Sequence, residues 1–388
     1  MNHLMHTYAR LPVRFVRGNG AWLFDDQGQR YLDAIAGIGV CGLGHAHPEI
    51  ADTIADQAKT LLHTSNLVEI PWQETLGERL CEISGLEKVF VANSGAEAIE
   101  CAFKLTRLVG HLHGIDRPAI LVAEHSFHGR TLACISASGS RKVQAGFEPL
   151  VGGFVRMPYG DADAARRLVE SDPNIAAILV ETIQGEGGIR PPPPSYLPAL
   201  RRLCDERNLL LILDEVQSGM CRTGRWFAYQ HDGVIPDIVA VAKALGNGFP
   251  VSACLARGTA AAAFTPGSHG TTFGGNPLAC RTACKVIEIM ERDTIAERVE
   301  RLGNELLVAL QDELHDLSIV REVRGRGLMI GIELDRPATP ARDHALANGL
   351  LINVTRDNII RLLPPLIIDE TQTAMIADGV SAAIRAMA

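Results

Sequence analysis

From Lys88 onward, short runs of β-branched and aliphatic residues alternate with longer stretches in which apolar residues recur at helical spacing. The runs are KVFVA (88 to 92), AILVAE (119 to 124), AAILVE (176 to 181), LLLILDE (209 to 215) and DIVAVA (237 to 242). Such alternation predicts a parallel sheet covered by helices. Because the runs are apolar at nearly every position, they suit strands buried on both faces. After Asn276-Pro277 the pattern turns to long helical periodicity up to about Leu314, then to short runs in VREVRGRGLMIGIEL that read as a smaller αβ lobe. The opening segment has strand-like stretches in AWLFDDQGQRYLDA around a DDQG turn, and too little apolar material to stand as a domain. The organisation expected is therefore an N-terminal segment, 1–50, packing with the small domain, a large domain over 51–275 and a small C-terminal domain over 276–388. Pro191 to Pro194 reads as an extended loop before a helix beginning near Tyr196.

Length changes this picture little: 388 residues exceed what one core usually serves. Apolar residues make up 47% and charged ones 21%, the balance of an ordinary globular enzyme rather than of a disordered chain. A net charge of -8, with no dense Lys/Arg run, argues against nucleic acid and anionic membrane as partners. No apolar stretch is long enough for a membrane span and the start lacks a secretory pattern, so a cytoplasmic location is expected. The nine cysteines form no CxxC and sit mostly among apolar neighbours, which favours reduced thiols over disulfides or zinc.

Three features carry candidate chemistry. VFVANSGAEA is a buried strand, a turn of small polar residues and a helix start. The backbone N–H groups of Ser94, Gly95 and Ala96 would be free there, where the helix dipole favours a phosphate; alone, the same pattern is an ordinary helix cap. Asp214 ends the run LLLIL, at the strand end where open α/β sheets place ligands; a carboxylate there needs a cation, and a protonated pyridine nitrogen would be one. Lys243 ends DIVAVA and is followed by ALGNGFP; desolvation there would lower its pKa and free its amine for a Schiff base, whereas the bland alternative is a lysine reaching to the surface. Together, two strand-end charges of opposite sign and an upstream phosphate cradle resemble a pyridoxal phosphate site.

The order SGAEA, FHGRT, QGEGG, DEVQSG, AKALGNG, TTFGGNP and IIRLLPPL resembles the class III (subgroup II) aminotransferases over essentially the whole chain. Within that class, HTSNL at 63 to 67 and AGIGVCGLGHAHP at 36 to 48 are similar to the acetylornithine aminotransferases of arginine biosynthesis. The resemblance implies the type I fold of pyridoxal-phosphate enzymes: an α/β large domain with a mostly parallel seven-stranded sheet, a smaller αβ domain, and a homodimer with active sites at its interface. It implies that Gly95 and Ala96, beside Ser94, hold the phosphate and that Phe127 stacks on the pyridine ring. Asp214, with Glu215 and Val216 beside it, would pair with the pyridinium, Gln217 would bond the ring oxygen, and Lys243 would carry the cofactor. Thr272 would reach the phosphate across the dimer.

For substrates, the resemblance implies that Arg130 and Arg361 hold carboxylates and that Thr271 contacts the donor. The dicarboxylate 2-oxoglutarate would place its α-carboxylate on Arg361 and its distal one on Arg130. Acetylornithine, presenting its terminal amine, would give its carboxylate to Arg130 while Arg361 pairs with Glu186, so Glu186 is the expected switch. The reaction implied is transfer of that amine to 2-oxoglutarate, giving N-acetylglutamate semialdehyde and glutamate, with Lys243 moving the proton. Ornithine aminotransferases carry a tyrosine at a position best matched by Gly37, which favours the acylated donor. Succinylornithine, succinyldiaminopimelate, ornithine and 4-aminobutyrate are the alternatives, and decarboxylases, racemases and aminomutases share the fold but differ at the arginines. Ile99 and Thr182 depart from the family's SGAEANE and EPIQGEGG patterns, which have Asn and Pro there. Two readings of another kind fail: Gly37, Gly39 and Gly42 satisfy GxGxxG but no helix of a dinucleotide-binding unit follows, and His45 with His47 lack further ligands for a metal.

Overall fold

The structure, a computed structural model, describes residues 3–387. Its centre is a seven-stranded sheet of β4 (Lys88–Ala92), β5 (Ala119–Ala123), β6 (Phe154–Met157), β7 (Ile175–Glu181), β8 (Leu210–Asp214), β9 (Ile238–Val241) and β10 (Ser252–Ala256), in the order β4-β10-β9-β8-β7-β5-β6. The pairs from β9 through β8, β7 and β5 to β6 are parallel, and β10 runs antiparallel to both its neighbours. Every residue of β5, β7, β8, β9 and β10 is buried. The reason is the alternation of a strand's side chains: Leu211, Leu213, Val239 and Val241 feed one apolar cluster, whereas Leu210, Ile212, Ile238 and Ala240 feed another on the opposite face. Each fully buried Leu or Ile contributes about 1.5–3 kcal/mol of transfer free energy, so an apolar run without polar interruption is what a two-faced sheet requires.

The strand runs read from the sequence all lie in this sheet. β6 and β10 were not among them, since FVRM carries an arginine and SACLA is built of small residues. The helical stretch after Asn276 is two helices, Pro277–Arg292 and Ile295–Leu314, because Thr294 between them adopts a left-handed φ of 46°. A helix follows the proline loop at Tyr196–Arg207.

Two smaller sheets flank the centre. One joins β1 (Phe15–Asn19), β2 (Trp22–Asp25) and β3 (Arg30–Asp33) to β13 (Leu350–Leu351), pairing the N-terminal hairpin with a strand more than 300 residues away. The other, in the order β11-β12-β15-β14, is built from β11 (Val320–Arg326), β12 (Met329–Leu334), β14 (Asn353–Thr355) and β15 (Ile359–Leu362), and belongs to a smaller α/β domain. Among the described residues, no helix is long and apolar enough to cross a membrane.

Candidate active site

The carboxyl ends of the central strands open onto a cavity of about 380 Å³. Ser94, Gly95 and Ala96 follow β4, Phe127 and His128 follow β5, Glu181 ends β7, Asp214 ends β8 and Lys243 follows β9, and all line it together with Val216, Gln217 and Glu186. That is where an open α/β sheet leaves room for a ligand.

At the start of the helix Gly95–Leu112, Ser94 Oγ accepts from the Glu97 N–H at 3.3 Å, and the Glu97 carboxylate accepts from the Asn93 N–H at 2.9 Å. This reciprocal cap consumes neither the Gly95 nor the Ala96 N–H, which remain directed at the cavity end with the positive pole of the helix. Gly95 is required by packing: a methyl group there would lie 2.9 Å from Val216 Cγ1.

Asp214 is buried. Its Oδ1 accepts from the Val216 N–H at 3.0 Å and its Oδ2 meets His128 Nδ1 at 2.7 Å. The sequence reading missed His128, although it adjoins Phe127 in FHGR. Glu181 was missed as well, yet the signal was the one that marked Asp214, an acid closing an apolar run; the two face each other in register across β7 and β8. Burial, reinforced by Asp214, pushes the Glu181 carboxyl up to about 7 despite the nearby His128 and N–H donors from Gly185 at 3.0 Å and Phe127 at 3.1 Å. Glu215 points the other way: it is fully buried outside the cavity, accepting from Thr182 Oγ1 at 2.8 Å, Ser218 Oγ at 2.6 Å and the Tyr229 N–H at 3.0 Å. Thr182 therefore solvates a buried carboxylate, and burial still raises Glu215 to about 7. Ile99 is buried in the core cluster beneath the helix.

Lys243 has a left-handed φ of 48°, a costly conformation for a side chain with a Cβ, of the kind that clusters at functional sites. Desolvation is the main cause that lowers its amine from 10.5 to about 8; the positive charge of Arg361 adds to this, and Glu186, Asp214 and Glu181 oppose it. The loop after it is braced by Asn247, whose side chain accepts from the Leu43 N–H at 2.7 Å and donates to the Gly44 carbonyl at 3.1 Å. The glycine-rich segment thus serves as packing over the Lys243 loop, with Gly37 and Gly39 in left-handed turns at φ 64° and 75°. Its His45 bonds Asp33 at 2.7 Å.

The rim is assembled from further away. Arg361 on β15 is buried; it donates to Asn353 Oδ1 at 3.0 and 2.7 Å and forms an ion pair with Glu186. Arg130 is exposed, its guanidinium 5.5 Å from the centre of the Phe127 ring. Thr271 lies beside the helix start, its hydroxyl 3.4 Å from Asn93 Nδ2. Thr272 is exposed and does not line the cavity of its own chain.

Among the described residues, two buried polar atoms here have no protein partner, His128 Nε2 and Gln217 Oε1. An apolar-walled slot with free N–H groups at one end, a carboxylate–imidazole pair at the other, an unpartnered amide and a desolvated amine fits a flat, phosphorylated, cationic heteroaromatic aldehyde such as pyridoxal phosphate.

The family model for class-III aminotransferases matches residues 4–384. The acetylornithine aminotransferase of Nitrosomonas europaea is 51% identical over 384 residues, 99% of this chain and 98% of that protein. That of Aquifex aeolicus is 46% identical, across 95% of this chain and 96% of its own length. Among solved structures, the ornithine aminotransferase of Toxoplasma gondii is similar with a TM-score of 0.96 at 34% identity, covering 99% of this chain and 93% of that one. The acetylornithine aminotransferase of Elizabethkingia anophelis is similar with a TM-score of 0.89, also at 34% identity, covering 99% and 96%. Cavity, sheet order and relatives agree over the full length described, and the chain belongs to the class-III aminotransferases.

Proposed function

We propose that the protein is a pyridoxal-phosphate-dependent transaminase that moves the terminal amino group of N2-acetyl-L-ornithine to 2-oxoglutarate, yielding N-acetyl-L-glutamate 5-semialdehyde and L-glutamate, in cytoplasmic arginine biosynthesis. The observation that carries the reaction type is the desolvated Lys243 amine facing Asp214 across the cavity. The donor rests on the acetylornithine aminotransferases at 46–51% identity.

Pyridoxal phosphate, when bound, supplies an aldehyde that condenses with amines and a ring that withdraws electrons. The residues of this chain divide the remaining work. The Gly95 and Ala96 N–H groups, at the helix start capped by Ser94, hold the phosphate, and Phe127 and Val216 enclose the ring. Asp214, backed by His128, keeps the ring nitrogen protonated, and Gln217 bonds the ring oxygen. Lys243 would hold the aldehyde, and its amine, tuned toward neutral pH, would carry the proton to and from the reacting carbon. Arg130 and Arg361 orient carboxylates through bidentate bonds. Glu186 occupies Arg361 when the donor presents its terminal amine and leaves it for 2-oxoglutarate.

We also propose a homodimer. Leu67, Val68 and Phe273 are 93%, 57% and 65% exposed. They cluster on segments tied together by Asn66 Nδ2, which donates to the Thr271 and Gly274 carbonyls at 3.1 and 2.9 Å. An apolar group of this kind, next to Thr272, suits a surface covered by a second copy.

The test is the visible absorbance of the cofactor-loaded enzyme titrated with acetylornithine and, in parallel, with ornithine, 4-aminobutyrate and the succinyl analogues. Bleaching at the lowest concentration with acetylornithine, reversed by 2-oxoglutarate, is the expected result. Bleaching only with another donor would overturn the substrate, and the absence of any band after addition of pyridoxal phosphate would overturn the reading as a whole. Light scattering at assay concentration tests the dimer, which a fully active monomer would contradict.

A further inference from the structure

Glu186 lines two cavities, the one over Lys243 and a second of about 720 Å³ on its other side. The loop that carries it is held by the small domain at three points. Thr355 Oγ1 donates to the Glu186 carbonyl at 2.8 Å, and Arg324 donates to the Gly188 carbonyl at 2.7 Å through Nη2 and to the Ile189 carbonyl at 2.8 Å through Nε. With the loop pinned in this way, the carboxylate can leave Arg361 by rotation of its side chain. The room away from Lys243 lies in the second cavity.

That cavity is lined by five Arg or Lys side chains against two carboxylates, Asp357 and Glu186 itself. Arg342 is already held by Asp343 at 2.7 Å, and Arg130 lies over Phe127. Arg141, Lys142 and Arg356 form no side-chain hydrogen bond or ion pair among the described residues; of the three, Arg356 is the one against the loop that carries Glu186. It adjoins Thr355, which grips the Glu186 carbonyl, and a methyl group on Gly188 would lie 3.5 Å from its Cδ. Arg356 and Asp357 carry left-handed φ values of 51° and 65° in the tight hairpin loop between β14 and β15.

We propose that Arg356 is the second partner of Glu186: it receives the carboxylate when a dicarboxylate takes Arg361, and so sets how readily the acceptor site opens. This rests on the reading of Glu186 as the switch. Free Arg361 would then require Glu186 to exchange one guanidinium for another, rather than to stand unpaired.

The test is calorimetric binding of glutarate, a five-carbon dicarboxylate without a reacting keto group, to the cofactor-loaded enzyme. Glu186→Ala, which frees Arg361 permanently, should bind glutarate more tightly than wild type. Arg356→Gly, which relieves the left-handed backbone, should bind it about three- to fivefold more weakly, the scale of a partly exposed ion pair. Arg356→Gln keeps a polar side chain but removes the charge and should weaken binding equally, so a folding defect confined to the glycine variant does not blur the outcome. In the Glu186→Ala background, Arg356→Gly should change nothing. No tightening in Glu186→Ala would sink the switch itself. Tightening there, with wild-type affinity in both Arg356 variants, would leave the switch and overturn the role of Arg356. Equal weakening with and without Glu186 would also overturn it, since Arg356 would then act on glutarate through its field alone.

Discussion

Lys243, Asp214 and Glu181 reach the cavity from the ends of neighbouring strands of one sheet, whereas Glu186 reaches it from a loop, with Arg361 and Asn353 of a second sheet and Arg130 of another loop at its rim. On the sheet side, strand register and two-faced burial fix each position to the spacing of adjacent strands. On the rim side, position depends on how the small domain grips the loop from Gln184 to Arg190, chiefly through Arg324 and Thr355. The sheet side should therefore govern the rate of the chemical step, and the rim the affinity for substrates.

Substitutions can break that division. Lys243→Ala should lower the steady-state transamination rate by about three orders of magnitude or more, since the proposed nucleophile and proton carrier would be lost together. Asp214→Asn should cost about a hundredfold in kcat with little change in KM, because the charge proposed to face the ring nitrogen would act on the chemical step. Arg130→Ala should behave in the opposite way, raising KM for both donor and 2-oxoglutarate roughly tenfold while kcat changes little. An Arg130 variant that lost kcat alone would show that the division of labour is misdrawn.

Two smaller effects sharpen it through pH. With its pKa lowered to about 8, Lys243 is protonated below that value and free above it. The rate at which cofactor-free protein captures pyridoxal phosphate, followed by absorbance, should therefore rise severalfold through about pH 8 and level off well before 10.5. Away from the reaction, the hydrogen bond to Asp33 is the main cause that raises His45 to about 9. Its contribution to stability is fully present below pH 6.5 and is lost as pH rises through 9. His45→Gln should thus cost about 2 kcal/mol at pH 6, the shift being discounted for solvent screening of a half-buried pair, seen as a lower melting temperature, with the gap to wild type closing by pH 10.

The same division explains what could be read from the chain. Strands β5, β7, β8 and β9 were visible because burial on both faces demands unbroken apolar runs, and Asp214 and Lys243 because a charge ending such a run is conspicuous. Glu181 gave the same signal unheeded. β10 escaped because the small residues of SACLA give little hydrophobic contrast, although the strand is fully buried. On the rim, periodicity offered no help: Arg361, Glu186 and Arg130 stand in segments far apart in sequence, and family resemblance singled them out. His128 lay in a loop, where its closeness to Asp214 depends on the path the chain takes after β5.

Placing Glu181 and Asp214 side by side in register also bears on how long the molecule survives. Burial of two acids at adjoining strand ends, only partly offset by His128, disfavours their charge, and a positively charged ring set against them would relieve that cost. Occupancy then acts as a thermodynamic tether, deepening the folded well by an amount that grows with the logarithm of ligand concentration. The pool of this enzyme in a cell short of vitamin B6 should shrink through proteolysis of the looser form, before any change in its synthesis.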